Sequence, residues 1–228
     1  ERIDIEGNAT TLDRVIRRQF RTVEGDPFNP REIRETAERI RALGFFSTAE
    51  VNAREGTSPD QVIVDVNVEE APTGSLSFGL NYSVTNGAGA AISFSESNFL
   101  GRGQYLSFSL TSGVDNSVTS FTFAEPAFLS RDVTFRFSAS YGESSNQDST
   151  KYDTRRVSIS PSLEFPTGEF TRLALRYTIA ETDLYNYTGA SPIIQAEADE
   201  EALLTSSVGY TYSYDTRRTG LNPNAGVL

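Results

Sequence analysis

The 228-residue chain has no cysteine, no histidine and no methionine, and its single lysine is Lys151. Without cysteine there are no disulfides, no thiolate nucleophile and no thiolate metal ligand. Without histidine the commonest general base and the commonest metal ligand are gone. Carboxylates and lysines also catalyse, so neither absence decides alone. Together they turn the expectation away from an enzyme, and no residue is a candidate for catalysis, for metal ligation or for holding a cofactor. Methionine is missing even from position 1, so the chain reads as a processed piece of something longer. No run of about 18 apolar residues exists, which excludes a transmembrane helix. No signal peptide is visible. The net charge of −11 makes nucleic acid an unsuitable partner.

What the chain does have is alternation. In Thr73–Ser83 large apolar residues stand at Leu76, Phe78, Leu80 and Tyr82, with small or polar ones at Ser75, Ser77, Gly79, Asn81 and Ser83. A period of two is the mark of a strand with one apolar and one wet face. The same pattern recurs to the end of the chain. Residues 73–228 read as eight strands, at about 74–84, 89–97, 104–112, 117–125, 133–141, 153–165, 170–182 and 203–215, with Gly226-Val-Leu228 opening a ninth.

Residues 1–72 differ in kind: rich in Arg and Glu, poor in aromatics, and mixing two periods. Arg2–Glu6 is a short strand. Thr10 or Thr11 suits the cap of a first helix with Leu12, Val15, Ile16 and Phe20 on one face. Asn29-Pro30 suits the start of a second, with Glu32 placed to close a capping box and Gly44 to end it. Ile33, Ala37, Ile40 and Leu43 line its apolar stripe. Val51 and Ala53 suggest a strand, Gly56–Asp60 a turn, and Val62, Val64, Val66 and Val68 a last strand. The order is β-α-α-β-β, an α+β module with two helices on one face of a three-stranded sheet.

A soluble barrel or sandwich also alternates, but its outer face carries Lys and Glu freely. Here the second face is mostly Ser, Thr, Gly and Ala, with Arg136, Arg156, Arg172 and Arg176 scattered on it. That suits a wet lumen and an apolar face turned to lipid. Tyr82, Tyr141, Tyr212 and Tyr214 near strand ends fit interfacial girdles. Connections at Asn98–Gly103, Glu125–Asp132, Pro166–Glu169 and Asp215–Asn224 are short, whereas Gly142–Thr150 and Asp183–Ala202 are long. Short turns on one side and long loops on the other are the asymmetry of outer-membrane barrels. The reading is an antiparallel transmembrane β-barrel segment of about eight strands, incomplete because an open edge in hydrocarbon is untenable. A soluble β-rich binding module behind a small α/β domain is the competing reading.

Several short motifs recur in order along the chain: Ile5-Glu-Gly-Asn8, Leu43-Gly-Phe-Phe46, Ser58-Pro-Asp60, Thr73-Gly-Ser75, Asn98-Phe-Leu-Gly-Arg-Gly103 and Glu125-Pro-Ala-Phe128. In this order and spacing the chain resembles the BamA family of outer-membrane β-barrel assembly proteins. The match covers the last, membrane-proximal POTRA domain (1–72) and the first half of the barrel (73–228). Related TamA-like proteins and two-partner secretion transporters share the architecture and are the alternative. The resemblance implies a Gram-negative outer-membrane location with the POTRA domain in the periplasm. It also implies an insertase working without ATP or cofactor, on unfolded outer-membrane β-barrel proteins, with BAM lipoproteins such as BamD as partners and the lipid bilayer as surroundings. Such barrels are thought to open between first and last strands, so the incoming strand would pair with the first. The residues this points to are Gly74, Ser75, Leu76, Ser77, Phe78, Gly79, Leu80, Asn81 and Tyr82. Gly74 and Gly79 either loosen the strand and its register or serve relief of crowding or barrel curvature. Arg14, Arg17, Arg18 and Arg21 make a basic face on the first helix, which is either a solvated surface or an accessory-protein contact. Glu197-Ala-Asp-Glu-Glu201 lacks the glycine and spacing of a calcium loop and reads as an acidic surface loop.

Overall fold

The computed structural model describes residues 2–216 apart from 57, 59–60, 84–86, 146 and 148–149. The chain divides into two compact units. The first is built on residues 2–74 and takes in Ser97–Gln104. The second holds Ser75–Glu96 and Tyr105–Tyr214.

The first unit contains β1 (Arg2–Glu6), α1 (Asp13–Arg17), α2 (Pro30–Ala42), β2 (Phe46–Glu55) and β3 (Val62–Glu70), the expected β-α-α-β-β order. β3 is central, parallel to β1 and antiparallel to β2. Alternate residues of the sheet (Ile3, Ala49, Val64, Val66, Val68) meet Val15 and Ile16 of α1 and Ile33 and Ile40 of α2 in one buried core. On the opposite face Asp4 and Asp65 are cross-strand neighbours. Their repulsion is relieved by Arg54, which reaches Asp65 at 2.5 Å and Asp4 at 3.5 Å. Where β1 leaves the sheet, Gly7 has φ +93°, and a Cβ there would stand 1.8 Å from the Val68 carbonyl oxygen. Only glycine fits that turn.

α2 begins as its sequence suggests. Asn29 caps it by accepting from the Arg31 N–H at 3.1 Å, Pro30 opens the first turn, and Gly44 ends it at φ +72°. The capping box does not form, because the Glu32 carboxylate turns along the helix to Arg39, at 2.5 Å, where a full charge is available. The first helix departs further. α1 is five residues long, with Leu12 at its cap position and no side-chain cap bond. Thr10 and Thr11 do not cap it: Leu12 holds the cap position, and the Thr11 Oγ1 accepts from the Asn98 Nδ2 instead. Leu12 is left 40% exposed rather than joining Val15 and Ile16 inside.

The second sheet consists of β4 (Gly74–Ser83), β5 (Gly87–Phe99), β6 (Gln104–Gly113), β7 (Asn116–Glu125), β8 (Thr134–Ser145), β9 (Asp153–Gly168), β10 (Thr171–Tyr185) and β11 (Leu203–Tyr214), each bonded to its sequence neighbours. The eight strands appear close to the expected positions, β5, β8, β9 and β10 being longer. The proposed ninth strand at 226–228 lies outside the described residues, as does part of the turn at Gly56–Asp60. Register carries the alternation across the sheet. Phe108, Phe121, Ala139, Ile159 and Ile179 form one continuous row, and Ser109, Ser120, Ser140, Ser158 and Ala180 form the next, on the other face. Hydroxyls pair along that second row, Ser109 with Ser120 at 2.7 Å and Ser140 with Ser158 at 2.8 Å.

The two longer connections are tied together by hydrogen bonds. Asp153 accepts from Ser145, Gln147 and Asn186, and Gln147 also donates to the Asn186 carbonyl. The stretch read as an acidic loop is partly helical: α3 (Pro192–Asp199) takes up Glu197 and Asp199. Pro192 at its first turn has the geometry of a helix start, a signal outweighed in the sequence by the run of acids that follows.

Ile40 is fully buried between helix and sheet. Ile40→Ala should destabilise the first unit by roughly 2–5 kcal/mol. Hydrogen exchange across α2 and β3 of the detergent-solubilised chain measures the effect.

Candidate functional site

β4 lies at one end of the eight-stranded sheet and β11 at the other. Among the described residues each therefore has a bonded neighbour on one side only. Three contacts set β4 against β5: the Ser75 and Ser95 hydroxyls meet at 2.8 Å, Gly79 faces Ala91, and Ser97 donates its N–H to the Thr73 carbonyl at 3.1 Å. In an antiparallel ladder of that phase, residues 73, 75, 77, 79 and 81 turn their peptide groups toward β5. The N–H and C=O groups of Gly74, Leu76, Phe78, Leu80 and Tyr82 consequently point to the open edge.

The same residues carry the exposed apolar side chains. Leu80 is 91% exposed, and Phe78 and Tyr82 are more than 70% exposed. β11 is similar, with Val208 at 80% and Tyr210 at 77%. All nine sequence-named residues, Gly74 to Tyr82, thus fall in one strand with an open edge. The room at Gly79 separates two readings of that glycine. A Cβ would meet nothing closer than the Ala91 Cβ at 3.9 Å, an ordinary contact. Crowding does not require glycine there, which leaves a looser backbone and barrel curvature as its two remaining readings.

The four arginines do not make one helical face. α1 stops at Arg17, and Arg21 lies beyond it. Past its end the Gln19 and Phe20 N–H groups bond the Ile16 and Arg17 carbonyls in tighter turns, and the Arg39 guanidinium donates to the Gln19 carbonyl at 2.7 Å. Arg17 is tied inward: it bonds Asp13 at 2.7 Å, Glu24 at 2.9 Å and the Ile3 carbonyl at 3.0 Å. The hydrogen bond to Asp13 heads the influences that raise its pKa above the ordinary guanidinium range. Glu24 is correspondingly pushed below the usual carboxylate range, first by the Ile3 N–H and then by Arg17. The Arg18 guanidinium lies against Gly103. Arg14 and Arg21 remain exposed.

Sequence reasoning missed a buried polar cluster at the root of β4, within the first unit. The Glu70 carboxylate accepts from the Thr10 N–H at 2.9 Å and the Thr11 N–H at 2.6 Å. Thr11, 2% exposed, accepts at Oγ1 from the Asn98 Nδ2 at 2.8 Å. Asn98, 6% exposed, accepts at Oδ1 from the Gly103 N–H at 2.7 Å. The Leu12 N–H bonds the Gly101 carbonyl at 2.8 Å. Gly101 has φ +68°, and a Cβ on it would stand 2.0 Å from the Thr10 carbonyl oxygen. The motif Asn98–Gly103 was visible as a short turn, but nothing in a single sequence links it to Thr11. Burial raises the Glu70 pKa, yet the Thr11 and Thr10 hydrogen bonds outweigh it and leave Glu70 below its ordinary value.

Comparison with known proteins follows this geometry. The Omp85 superfamily domain model matches residues 98–228, and the POTRA model, described as a surface antigen variable number repeat, matches residues 1–71. The chain is 28% identical over 232 residues to the outer membrane protein assembly factor BamA of Nitratidesulfovibrio vulgaris, covering 100% of this chain and 28% of that protein. It superimposes with a TM-score of 0.71 and 23% identity on the crystal structure of BamA from Haemophilus ducreyi lacking POTRA domains 1–3, covering 99% of this chain and 46% of that one. CdiB from Acinetobacter baumannii is similar in fold, with a TM-score of 0.57 and 9% identity over 94% of this chain and 42% of its own. The chain thus spans less than a third of the curated relative and under half of either solved structure.

Two outcomes follow from the geometry. Gly79→Ala should fold without a clash and stabilise β4 by roughly 0.5–1 kcal/mol, read as slower amide exchange in that strand. Glu70→Gln should destabilise the first unit by about 1–3 kcal/mol. Because the folded carboxyl has the lower pKa, its contribution is fully present above the unfolded glutamate value of about 4.3 and is lost as pH falls through the folded value. Acid unfolding of the Glu70→Gln chain should therefore depend less steeply on pH in that window.

Proposed function

We propose that this chain, which belongs to the Omp85 superfamily, is the membrane-proximal POTRA domain (1–72) and first barrel half (73–228) of an outer-membrane protein assembly factor of the BamA kind. The observation that carries the reading is β4: a strand bonded on one side only among the described residues, with an exposed apolar face. In hydrocarbon each unpaired peptide group costs several kcal/mol. An incoming strand that pairs with Leu76, Phe78, Leu80 and Tyr82 removes that cost by β-augmentation, with little demand on its own sequence. No nucleotide is needed, because the energy comes from hydrogen bonding and from burial of the client in lipid.

In this reading the apolar rows face the bilayer and the hydroxyl rows face the lumen. The protein resides in the outer membrane of a Gram-negative bacterium, its POTRA domain in the periplasm. Its clients are unfolded β-barrel proteins, and lipoproteins such as BamD are its accessory partners. Arg14 and Arg21 are the exposed members of the basic set offered to such a partner. The fold-level likeness to CdiB favours a second reading, a two-partner secretion transporter, which would show pore current and dependence on one dedicated exported protein.

The test is disulfide crosslinking in cells making the full-length protein. Ser77→Cys or Asn81→Cys should trap the terminal strand of a nascent barrel. Crosslinks at other strands with none along β4 would refute assembly at this edge.

A further inference from the structure

A strand edge can receive a partner in one register only if the strand itself cannot slide. Among the described side chains of β4, Asn81 resists sliding, because it lies against Gly89, where a Cβ would stand 2.4 Å from its Oδ1; the rest of the strand does not. Its wet face is Ser75, Ser77, Gly79 and Asn81, and its apolar face repeats Leu76, Phe78 and Leu80. A slip of two residues against β5 returns every side chain to its own face, so alternation does not forbid it.

The root of the strand supplies what the strand lacks. Thr73, just before β4, accepts at its carbonyl from both the N–H and the hydroxyl of Ser97, at 3.1 and 3.2 Å. Next to Ser97 is Asn98, held in the buried cluster by Thr11 and Gly103. Thr11 is in turn held through its backbone by Glu70, the last residue of β3. Glu70 and Thr73 are separated by two residues. The short segment that launches β4 is fixed at both ends, and the ring of contacts closes through Asn98. Its amide has a buried donor partner and a buried acceptor partner, and loss of either leaves a polar group unsatisfied where water is excluded.

We propose that Asn98 is a positioning residue that clamps the root of β4 and thereby sets the single register in which an incoming strand pairs with it. The inference rests on the assembly reading given above. It assigns Asn98 no contact with the client, and acts through Ser97 and Thr73. Thr11 and Glu70 complete the clamp.

The experiment uses the full-length protein in cells and two readouts. The first is internal. Ser75→Cys with Ser95→Cys should close a disulfide, and Ser77→Cys with Ser95→Cys should not. Adding Asn98→Ala or Thr11→Val should make the second pair appear at no less than about one fifth of the first, whereas Thr11→Ser, which keeps the hydroxyl, should not. The second readout is the client. Cysteines along its terminal strand, paired with Asn81→Cys, should give one dominant crosslink whose share falls at least twofold in Asn98→Ala, neighbours two residues away gaining. If Asn98→Ala does not reach the membrane, Thr11→Val carries the test, since it removes the partner of the Asn98 Nδ2 and leaves Asn98 and its bond to Gly103 in place. An unchanged internal pattern in these variants overturns the clamp. Absence of client crosslinks in the parent, with the internal shift present, supports the clamp and refutes the assembly reading instead.

Discussion

The peptide group governs this molecule. Away from water, every N–H and C=O has to find a protein partner. Strands β5 to β10 meet that demand with a neighbour on each side, and the two end strands meet half of it. The side chains of β4 cannot make up the difference. Leucine, phenylalanine and tyrosine are at home in lipid, but they offer the backbone nothing. In the assembly reading proposed above, that edge would act through its peptide groups rather than through any reactive side chain, in a chain with neither histidine nor cysteine.

An open edge helps only if the rest of the strand is disciplined. The first unit has two sources of order. Its core is ordinary: valines of β3 and isoleucines of both helices, shut off from solvent. The second source is polar and local. Glu70 gathers the N–H groups of Thr10 and Thr11, and Asn98 reads the Thr11 hydroxyl. Charge-assisted bonds to backbone N–H groups are roughly twice as strong as neutral ones. They also hold a loop in place without lengthening α1, and five residues are a short helix to stand without help. The bonds from Glu70 hold the residues just before α1 in place, while the Thr11 hydroxyl is engaged by Asn98.

Period and punctuation made most of the architecture legible. Eight strands follow from alternation because Phe108, Phe121, Ala139 and Ile159 could share a row only if each strand kept its period. Asn29, Pro30 and Gly44 marked the ends of α2 because caps act within a few residues. What stayed hidden was long-range and polar. Thr11 and Asn98 are 87 positions apart, and Glu70 and Thr10 are 60 apart. Serine, threonine, asparagine and glutamate serve as caps, as turns and as surface, so their identity does not name a partner. Glu32 shows the same ambiguity at short range: two donors lay within its reach, and the charged one on Arg39 won. The β4 edge was legible as a strand, but which of its peptide groups are free depends on the register with β5.

The two walls of the large sheet need opposite surroundings, and this decides which errors the strands can make. Along the wet wall Ser109 and Ser120, Ser140 and Ser158, and Ser160 and Thr178 satisfy one another. Arg172 is held by Glu164 at 2.6 Å and by Asp132 at 3.2 Å. A one-residue slip would put those hydroxyls into lipid and leucines into water, a penalty repeated at every pair. A two-residue slip keeps polar and apolar residues on their own faces, so alternation alone does not oppose it, and in β4 the side chain that does is Asn81, seated against Gly89. Holding the root of the strand requires an interaction outside the repeat. Asn98, at the end of β5 and buried against Thr11, stands outside the repeat and next to the residue that β4 starts from.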